Sequence, residues 1–377
     1  MYQDSNIVTR NKDIELIVNA AARVEKLTPA KMGKQMPKRL ALLVTTDVHA
    51  RFRQMQSAIE YLNAMDALDA GICLGDMQCD YFTDNDGSWY TMCLKQSKKP
   101  FYTTIGNHDC GLHCKKEFTG TKEQIFERFI LKNREFMGMP ELQKTYYSVN
   151  FDAYQITLIV LDNYMASEAR DENGDFIISR SKNCLDQEEV DWLIKTLAEV
   201  PQGYHVVIAQ HSYMGDAVKV DCIWTHEDRE IQKDYGCYGP CELIPDVVNA
   251  WVNGTALQKI YEPVENTDIL SRLQVKADFS ARGKGTFIAY LIGHFHMDTV
   301  SKSAVYPDQN IIFFDATVLD RNQNFWSDLP RVAGTKSEDC ITVFAVDTEK
   351  KRVHLVRVGS NYTVNCVERT VMSFSYE

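Results

Sequence analysis

The sequence predicts an α/β fold built on a covered β-sheet. Short runs that are apolar throughout recur along the chain, and a stretch with helical spacing follows the first of them. Continuous apolar runs are typical of strands buried on both faces, and their alternation with helices indicates βα units. A chain of 377 residues is long enough to bury a full core without cross-links.

The elements up to residue 210 alternate between strand and helix. The first apolar run, LALLVTTDV, predicts a strand that ends near Asp47, and residues 52–68 have helical spacing. Further short apolar runs predict strands, and two that follow each other closely predict a hairpin. The remaining predicted elements of this part are strands at 70–77 and 100–106, a hairpin at 145–161, a helix at about 186–199 and a strand at 204–210.

Two segments depart from this rhythm. Residues 1–37 are polar and predict an N-terminal extension, so the core spans residues 38–377. Residues 212–286 are rich in charge, glycine and proline, with helical pieces predicted near 245–251 and 256–275. Because so long a segment between two good strands exceeds an ordinary loop, we predict a cap-like insertion there. After it, the runs FIAYLIG, NIIFFDATV, CITVFAVD and RVHLVRV predict the last strands of the core.

Composition and charge disfavour several classes of protein. Hydrophobic residues make up 45% and charged residues 25%, which is ordinary for a folded globular chain. The net charge of −11 disfavours binding to nucleic acid or to an anionic membrane, which needs a positive surplus. No apolar run approaches the roughly 18 residues of a membrane-spanning helix. Because the eleven cysteines are an odd count and the N-terminus has no leader-like pattern, we expect free thiols and a cytoplasmic location.

Five short polar clusters stand where predicted strands end. Side chains at positions i and i+2 of a strand project to the same face, so an Asp-x-His or His-x-His pair can converge on one site. Imidazole, carboxylate and amide oxygen together suit Mn, Fe, Zn, Co or Ni, and differ from a thiolate site. A glycine in three of the clusters allows a sharp turn and a close approach of the backbone to a ligand. The clusters are Asp47-Val48-His49, Gly75-Asp76, Gly106-Asn107-His108-Asp109, Gln210-His211 and Gly293-His294-Phe295-His296.

In this order, the five clusters resemble the pattern of the calcineurin-like metallophosphoesterase superfamily, which reads D-x-H, G-D, G-N-H-D/E, H and G-H-x-H. The resemblance extends from about Leu40 to at least Met297, and residues 185–197 (LDQEEVDWLIKTL) resemble a helix that many members carry. It implies a four-layer α/β/β/α sandwich of two mixed β-sheets flanked by helices, here with an inserted cap. It also implies two divalent transition-metal ions at the strand ends, with Mn, Fe and Zn as the leading candidates.

The resemblance also implies a role for each residue of the clusters. The implied metal ligands are Asp47, His49 and His296 for one ion, Asn107, His211 and His294 for the other, and Asp76 as the bridge between them. His108 is not a ligand in this family. It would protonate the leaving alkoxide or stabilise the phosphoryl charge, a role for which the pKa of imidazole is well placed.

The chemistry of such a centre suits a phosphoester. Two divalent ions, offset by the carboxylates of Asp47 and Asp76 and by one bridging hydroxide, leave a net positive charge that attracts an anionic phosphoryl group. Ions about 3.5–4 Å apart lower the pKa of a bridging water and contact both the attacking and the leaving oxygen. The implied reaction is in-line attack of the hydroxide on phosphorus.

Departures from the family pattern bear on the substrate. Ser/Thr phosphatases of the superfamily read G-D-x-V-D-R-G, whereas this chain reads GDMQCDYFTD, so Cys79 replaces the Asp that orients their catalytic His. Purple acid phosphatases have a metal-binding Tyr at that position, and the nearest tyrosine here, Tyr81, comes two residues later. Both identities are therefore disfavoured. Asp109 and Asp80 are the candidates for orienting His108.

Four further residues are candidates for contacts with the substrate: Arg51, Tyr213, Trp224 and His226. Arg51 follows the first cluster, and the other three follow His211 within the predicted insertion. Arg51 also has a simpler interpretation, because such a residue often lies on the solvated face of the helix that follows.

These observations predict a metal-dependent phosphoesterase that hydrolyses a small phosphomonoester or phosphodiester. A metal-dependent nuclease would use the same chemistry, but the acidic balance and the lack of a Lys/Arg-rich stretch count against it. A non-catalytic scaffold that kept the fold is the third possibility, and the filled ligand positions count against it. The expected partner is a small phosphorylated substrate, without membrane or nucleic acid.

Overall fold

The computed structural model describes most of the chain from residue 39 onward. The predicted N-terminal extension, residues 1–37, lies outside the described residues. The described residues are 39–78, 87–111, 120–178, 182–215, 218–222, 227–231, 239–264, 268–317, 338–360, 362–364, 367–369 and 371–376. They contain two six-stranded mixed β-sheets.

Six strands form the first sheet. They are β1 (Arg39–Thr45), β2 (Ala70–Cys73), β3 (Phe101–Thr103), β14 (Cys340–Asp347), β15 (Arg352–Gly359) and β18 (Val371–Ser375). Strands β1, β2 and β3 run parallel, whereas β14 pairs with β1 in the antiparallel sense and continues into β15 and β18. The spatial order is β18-β15-β14-β1-β2-β3. All but β18 coincide with apolar runs that predicted strands.

The second sheet also has six strands. They are β4 (Tyr147–Phe151), β5 (Ile156–Val160), β6 (His205–Gln210), β11 (Thr286–Ile292), β12 (Thr299–Lys302) and β13 (Asn310–Phe313). Strands β5, β6, β11 and β13 are parallel, and β4 and β12 pair with them as antiparallel edges. The spatial order is β12-β13-β11-β6-β5-β4. The predicted hairpin at 145–161 is confirmed as β4 and β5.

Three separate hairpins complete the described strands. They are β7 (Val218–Cys222) with β8 (Glu227–Ile231), β9 (Ala256–Tyr261) with β10 (Leu273–Asp278), and β16 (Tyr362–Val364) with β17 (Val367–Arg369). The helix predicted near 256–275 is therefore wrong, because this stretch forms β9 and the start of β10. Along β10 the side chains alternate between buried and exposed, and that period of two selects a strand.

Helices lie between the strands, and three of them were predicted. They are α1 (Phe52–Ala64), α2 (Ser88–Leu94), α3 (Lys122–Ile125) with a π-helical turn (Phe126–Leu131), α4 (Gln187–Glu199) and α5 (Leu243–Asn253). The helices predicted at 52–68, 186–199 and 245–251 are confirmed as α1, α4 and α5. Helix α4 begins after Asp186, whose side chain accepts a hydrogen bond from the amide of Glu189 (2.9 Å) and so caps the helix.

Apolar side chains of the second sheet alternate between two cores. On β5, Leu158 belongs to the core that also contains Met55 of α1, whereas Ile159 belongs to the core formed with Leu193 of α4 and Trp251 of α5. The first core lies between the sheets and under α1, and the second lies under α4 and α5. The order of layers is helices, sheet, sheet and helices, which confirms the four-layer sandwich.

The second half of the predicted insertion belongs to this outer helical layer. Trp251 of α5 is fully buried, and its indole N–H donates to the carbonyl of Leu197 at the end of α4 (2.8 Å). Val275 of β10 lies in the same core. These residues cover the outer face of the second sheet. A cap-like role of residues 212–286 over the substrate stays a prediction.

Two expectations about the whole chain can be compared with the described residues. Among the helices of the described part, none is both long and apolar enough to cross a membrane. Within the same part, six cysteines are buried free thiols: Cys73, Cys93, Cys110, Cys184, Cys241 and Cys340.

Candidate metal centre

The five polar clusters meet where the carboxyl ends of parallel strands of both sheets come together. The amide of Asp47, after β1, donates to the carbonyl of Gly75, after β2 (3.0 Å), and the amide of His49 donates to the carbonyl of Asp76 (2.9 Å). The second sheet joins through the amide of His294, after β11, which donates to Oδ2 of Asp47 (2.9 Å). These hydrogen bonds hold the first, second and fifth clusters next to one another.

Asp47, His49 and His296 form the first group of possible ligands. One ligand atom from each lies within 4.8 Å of the others. Oδ1 of Asp47 lies 3.0 Å from Nε2 of His296 and 3.9 Å from Nε2 of His49. Oδ2 of Asp47 instead accepts hydrogen bonds from the Thr46 hydroxyl (2.6 Å) and from the amide of His294. One oxygen thus fixes the carboxylate and the other faces the imidazoles.

His211, His294 and Asn107 form the second group, together with Asp76. The ligand atoms of Asp76, His211 and His294 lie within 4.8 Å of one another. Oδ1 of Asn107 lies 3.0 Å from Nε2 of His211 and 2.9 Å from Nδ1 of His294. Nδ1 of His211 donates to the carbonyl of Leu74 (2.6 Å), which directs Nε2 of this ring toward the group.

Asp76 lies between the two groups. Its Oδ1 accepts a hydrogen bond from the amide of His108 (2.8 Å), and its Oδ2 lies 3.1 Å from Nε2 of His211. A ligand atom of Asp76 also lies within 4.8 Å of one from His49, a member of the first group. The structure therefore brings all seven predicted ligands together, with Asp76 between the two groups. Its role as a bridge stays a prediction.

Five of these seven residues have left-handed backbone conformations, which non-glycine residues rarely adopt. Such conformations cost of order 1–3 kcal/mol each and persist only where the surrounding structure imposes them. The φ angles are 50° for Asp47, 47° for His49, 52° for Asp76, 62° for His294 and 49° for His296. Strain concentrated at one set of polar side chains is typical of functional sites.

Gly106 allows the second and third clusters to approach each other. A Cβ at this position would lie 2.2 Å from Oδ1 and 2.3 Å from the backbone nitrogen of Asp76. Gly293 has a similar role opposite the first cluster, since a Cβ there would lie 2.0 Å from the hydroxyl oxygen of Thr46. Glycine is therefore required at both positions by neighbouring residues of the chain, and the predicted approach of the backbone to a ligand stays a prediction.

We expect Gly106→Ala to destabilise the protein by about 1–3 kcal/mol, because the added methyl group must displace the Asp76 backbone. The affinity for Mn²⁺ should fall as well, because Asp76 lies between the two groups. Urea unfolding and calorimetric Mn²⁺ titration measure the two effects. Gly239→Ala is the matched control, since its nearest neighbour would be Cα of Cys184 at an ordinary 3.4 Å. Equal stability of the two variants would contradict this packing argument.

Burial and the charges of neighbouring side chains have opposing effects on the pKa values of the residues in the centre. Burial acts to raise the pKa of Asp76 and of Asp47, but the neighbouring imidazoles outweigh it and hold both below the usual range. Burial acts to lower the pKa of His211, but Asp76 raises it to about 9. Burial and the charge of His211 lower the pKa of His294 to about 3. Without metal, His211 is therefore a cation paired with Asp76.

We expect metal binding to release a proton from His211 and to strengthen as the pH rises toward 9. In the metal-free protein, the raised pKa of His211 contributes stability that is fully present below its unfolded pKa of about 6.5 and lost as the pH rises through about 9. A bound ion needs the neutral imidazole and so competes with this proton. Calorimetric Mn²⁺ titrations in buffers of different ionisation enthalpy, at both ends of this range, measure the release. Equal proton release at both ends would contradict the expectation.

His108 lies beside the centre, and the hydrogen bonds described for Asp109 run to two backbone amides, so that an orienting contact from Asp109 to His108 stays a prediction. Nε2 of His108 lies 3.8 Å from Oδ2 of Asp76, and its ring packs edge-on against His49 with 4.6 Å between ring centres. The carboxylate of Asp109 accepts hydrogen bonds from the amides of Gln78 and Gly106, both at 2.9 Å. Asp80, the other candidate for orienting His108, lies outside the described residues.

The predicted substrate contacts have different outcomes. Arg51 is exposed at the start of α1, close to the first cluster, and its role stays a prediction. Tyr213 is buried, and its ring packs against Tyr290 and Phe313 in the second core. This placement gives Tyr213 a packing role, and a contact with the substrate stays a prediction. Trp224 and His226 lie outside the described residues.

Three residues that contribute to the centre were not predicted. Thr46 holds Oδ2 of Asp47, and the backbone carbonyl of Gln78 lies 3.3 Å from Nδ1 of His49. The hydroxyl of Tyr164 donates to Oδ1 of Asn107 (3.4 Å). Thr46 adjoins a cluster and could have been suspected on that ground. Tyr164 is 57 residues from Asn107 in sequence, and nothing in its surroundings signals the contact.

The fold and the centre define a class of protein: a two-sheet α/β sandwich with His, Asp and Asn side chains gathered at its strand ends. The model of the calcineurin-like phosphoesterase family matches residues 40–248, and the chain belongs to this family. Members are metal-dependent and act on phosphorylated substrates. No protein with a curated description matches the chain at a significant level.

Solved structures with a related fold are distant from this chain. A purple acid phosphatase from yellow lupin (Lupinus luteus) is 10% identical, with 90% of this chain and 55% of that chain covered and a TM-score of 0.43. A phosphopantetheinyl hydrolase from Mycobacterium tuberculosis is 11% identical, with 74% and 91% covered and a TM-score of 0.38. A serine/threonine phosphatase from Saccharomyces cerevisiae is 10% identical, with 89% and 82% covered and a TM-score of 0.31. At this distance, the likeness does not extend to a substrate.

Proposed function

We propose that the protein is a dinuclear metal-dependent hydrolase that cleaves a phosphoester bond of a small substrate, a phosphomonoester or a phosphodiester. The observation that carries this proposal is the pair of ligand groups that meet at Asp76. The first contains Asp47 and the second contains His211 and His294, and a ligand atom of Asp76 lies within 4.8 Å of both His49 and His211. Two ions that share one carboxylate need this arrangement.

The donor set fits divalent transition metals such as Mn, Fe or Zn. Imidazole nitrogens, carboxylate oxygens and one amide oxygen form a hard-to-borderline set, and no thiolate faces it among the described residues of the two groups. Backbone carbonyls lie next to Nδ1 of His49 and of His211, so each ring can present Nε2 to an ion. We assign Asp47, His49 and His296 to one ion, Asn107, His211 and His294 to the other, and Asp76 to both.

When bound, such ions supply a nucleophile at neutral pH and neutralise charge on the phosphoryl oxygens. The residues of the chain contribute orientation and proton transfer. His108, beside Asp76 at the margin of the centre, holds the proton that the leaving alkoxide needs. The hydrogen bonds to Oδ2 of Asp47 and Oδ1 of Asp76 fix these carboxylates, and the other oxygen of each would be the one to hold an ion.

The acidic net charge of −11 supports a small substrate over a nucleic acid, which would want a basic groove. It also leaves a metal-dependent nuclease as the alternative to be excluded by experiment. A cytoplasmic location remains a prediction from the cysteine content.

Hydrolysis of bis- and mono-p-nitrophenyl phosphate, with Mn²⁺ and after chelation, tests the proposal. We expect metal-dependent release of p-nitrophenolate from at least one ester, and the ratio of the two rates separates diesterase from monoesterase activity. Degradation of single-stranded DNA at a comparable rate would favour the nuclease. Full metal content without any hydrolysis would favour a non-catalytic scaffold.

Anomalous scattering from Mn²⁺-soaked crystals is expected at two positions between the assigned ligands, and an ion bound only elsewhere would contradict the assignment.

A further inference from the structure

The carboxylate of Asp109 links two loops of the centre. Oδ1 accepts a hydrogen bond from the amide of Gln78 in the loop after β2, and Oδ2 accepts one from the amide of Gly106 in the turn after β3, both at 2.9 Å. The side chain is fully buried. A buried carboxylate whose oxygens are engaged by amides of two different loops fixes those loops relative to each other.

The backbone of Gln78 extends this link to His49. Its N–H donates to Asp109, and its carbonyl oxygen lies 3.3 Å from Nδ1 of His49. A carbonyl oxygen only accepts, so Nδ1 of His49 carries the hydrogen in this contact and Nε2 presents its lone pair. Nε2 is also the His49 nitrogen that lies 3.9 Å from Oδ1 of Asp47.

We propose that Asp109 is a positioning residue that sets the tautomer of His49, through Gln78, and fixes the turn that presents Asn107. One carboxylate thereby prepares a ligand in each group. The inference deepens the proposed function and rests on it, because that function gives these ligands their metal ions. It assigns Asp109 to the positioning of His49, whereas the sequence had suggested that Asp109 orients His108.

Asp109→Asn separates this role from simple packing. The amide keeps one acceptor oxygen but turns an NH₂ donor toward the second backbone N–H, so either Gln78 or Gly106 loses its acceptor and a buried donor is left without one. Partners that orient metal ligands typically contribute a factor of about 10–100 in metal affinity. We therefore expect the Mn²⁺ dissociation constant of metal-free Asp109→Asn protein to rise about 10–100-fold in a calorimetric titration.

Asp347→Asn is the matched control. Asp347 is also buried, its Oδ1 accepts a hydrogen bond from the amide of Lys350 (3.0 Å), and its Oδ2 lies 3.2 Å from Nζ of Lys350. It lies opposite Arg39 in the strand register, at the end of β1 that is remote from the centre. Asp347→Asn is therefore the same chemical change as Asp109→Asn, made at a buried position away from the centre. We expect its Mn²⁺ affinity to equal that of the wild type, even if its stability falls.

The ring ¹⁵N shifts of His49 give a readout that a purely structural role would not move. In metal-free wild-type protein with ¹⁵N-labelled histidine, with the resonance identified by its loss in His49→Gln, we expect the hydrogen on Nδ1. In Asp109→Asn, the share of the Nε2–H tautomer should increase. Burial lowers the pKa of His49, which favours observation of the neutral ring near pH 7.

Two outcomes would overturn the inference. One is a wild-type His49 that carries its hydrogen on Nε2, a measurement that decides the matter even if Asp109→Asn does not fold. The other is an Asp109→Asn protein with wild-type tautomer and Mn²⁺ affinity. Neither depends on hydrolysis, so a protein that binds Mn²⁺ normally but cleaves no phosphoester would refute the proposed function and leave the role of Asp109 standing.

Discussion

His108→Ala is expected to lower turnover by roughly 10²–10⁴, the usual span for a lost general acid, while metal content stays nearly unchanged. In the structure, Nε2 of His108 lies 3.8 Å from Oδ2 of Asp76, and the side chain is 17% exposed. The imidazole therefore borders the centre and is still open to solvent. A group in this place can deliver a proton to a leaving alkoxide.

The size of this effect should depend on the leaving group. An alkoxide needs protonation as it departs, whereas p-nitrophenolate is stable as an anion and needs little. Turnover of an alkyl phosphate should thus fall much more than turnover of p-nitrophenyl phosphate. His205→Ala is the matched control, because its imidazole is also partly buried but bonds the Tyr376 hydroxyl at the opposite end of β6 (2.7 Å). We expect it to leave both rates unchanged.

Loss of a metal ion from the His108→Ala protein would contradict the assignment. Ligand atoms of His49, Asp76 and His108 also lie within 4.8 Å of one another, so the geometry alone would allow His108 to bind an ion. Inductively coupled plasma mass spectrometry of the variant, loaded beside the wild type, decides between a proton donor and a ligand.

The candidate clusters could be found in the sequence because each directly follows an apolar strand, whereas their roles as ligands were implied by the family resemblance. Strand ends in a parallel sheet share one edge, so placing Asp47 after β1 and Asp76 after β2 already implies that they lie close together. His294 follows β11 of the other sheet, and its place beside Asp47 was implied only by the family resemblance. The left-handed φ angles of these residues could not be predicted, since they arise from hydrogen bonds between loops. The role of Asp109 was missed for the same reason: its partner Gln78 is 31 residues away and donates a backbone amide that has no sequence signature.

The segment after His211 shows where local pattern fails. The stretch at 256–275 was predicted as a helix, yet it forms β9 and the start of β10. Tyr261, Leu273 and Val275 of this hairpin lie in the second core, with residues of α4 and α5. Tyr213 was predicted near the substrate because it follows His211 in sequence, and its ring packs against Tyr290 and Phe313 in the second core. In both cases, tertiary packing decides where the side chains lie, and the local sequence does not indicate that packing.

Trp251→Ala is expected to lower the free energy of unfolding by about 3–5 kcal/mol, the usual cost of removing a large buried aromatic side chain. The indole is fully buried and donates to the carbonyl of Leu197 (2.8 Å). The guanidinium of Arg282 lies over its ring at 4.8 Å. Gly285 packs so closely that a Cβ there would lie 2.6 Å from ring atoms. The cavity left by alanine would lie between α4 and α5, and it could not close unless one of these helices moved.

This prediction also tests whether residues 212–286 act as a cap or as core. If α5 is core, urea unfolding should show the full loss in Trp251→Ala, while the relative rates of the folded protein on a panel of phosphoesters stay as in the wild type. Ile260→Ala in the same segment is the control, because Ile260 is 57% exposed on β9 and its replacement should change stability by no more than about 0.5 kcal/mol. The opposite result is a Trp251→Ala protein that keeps wild-type stability but has a changed preference among substrates. It would show that this part of the segment selects the substrate, because the change in selectivity would then arise without a change in the fold.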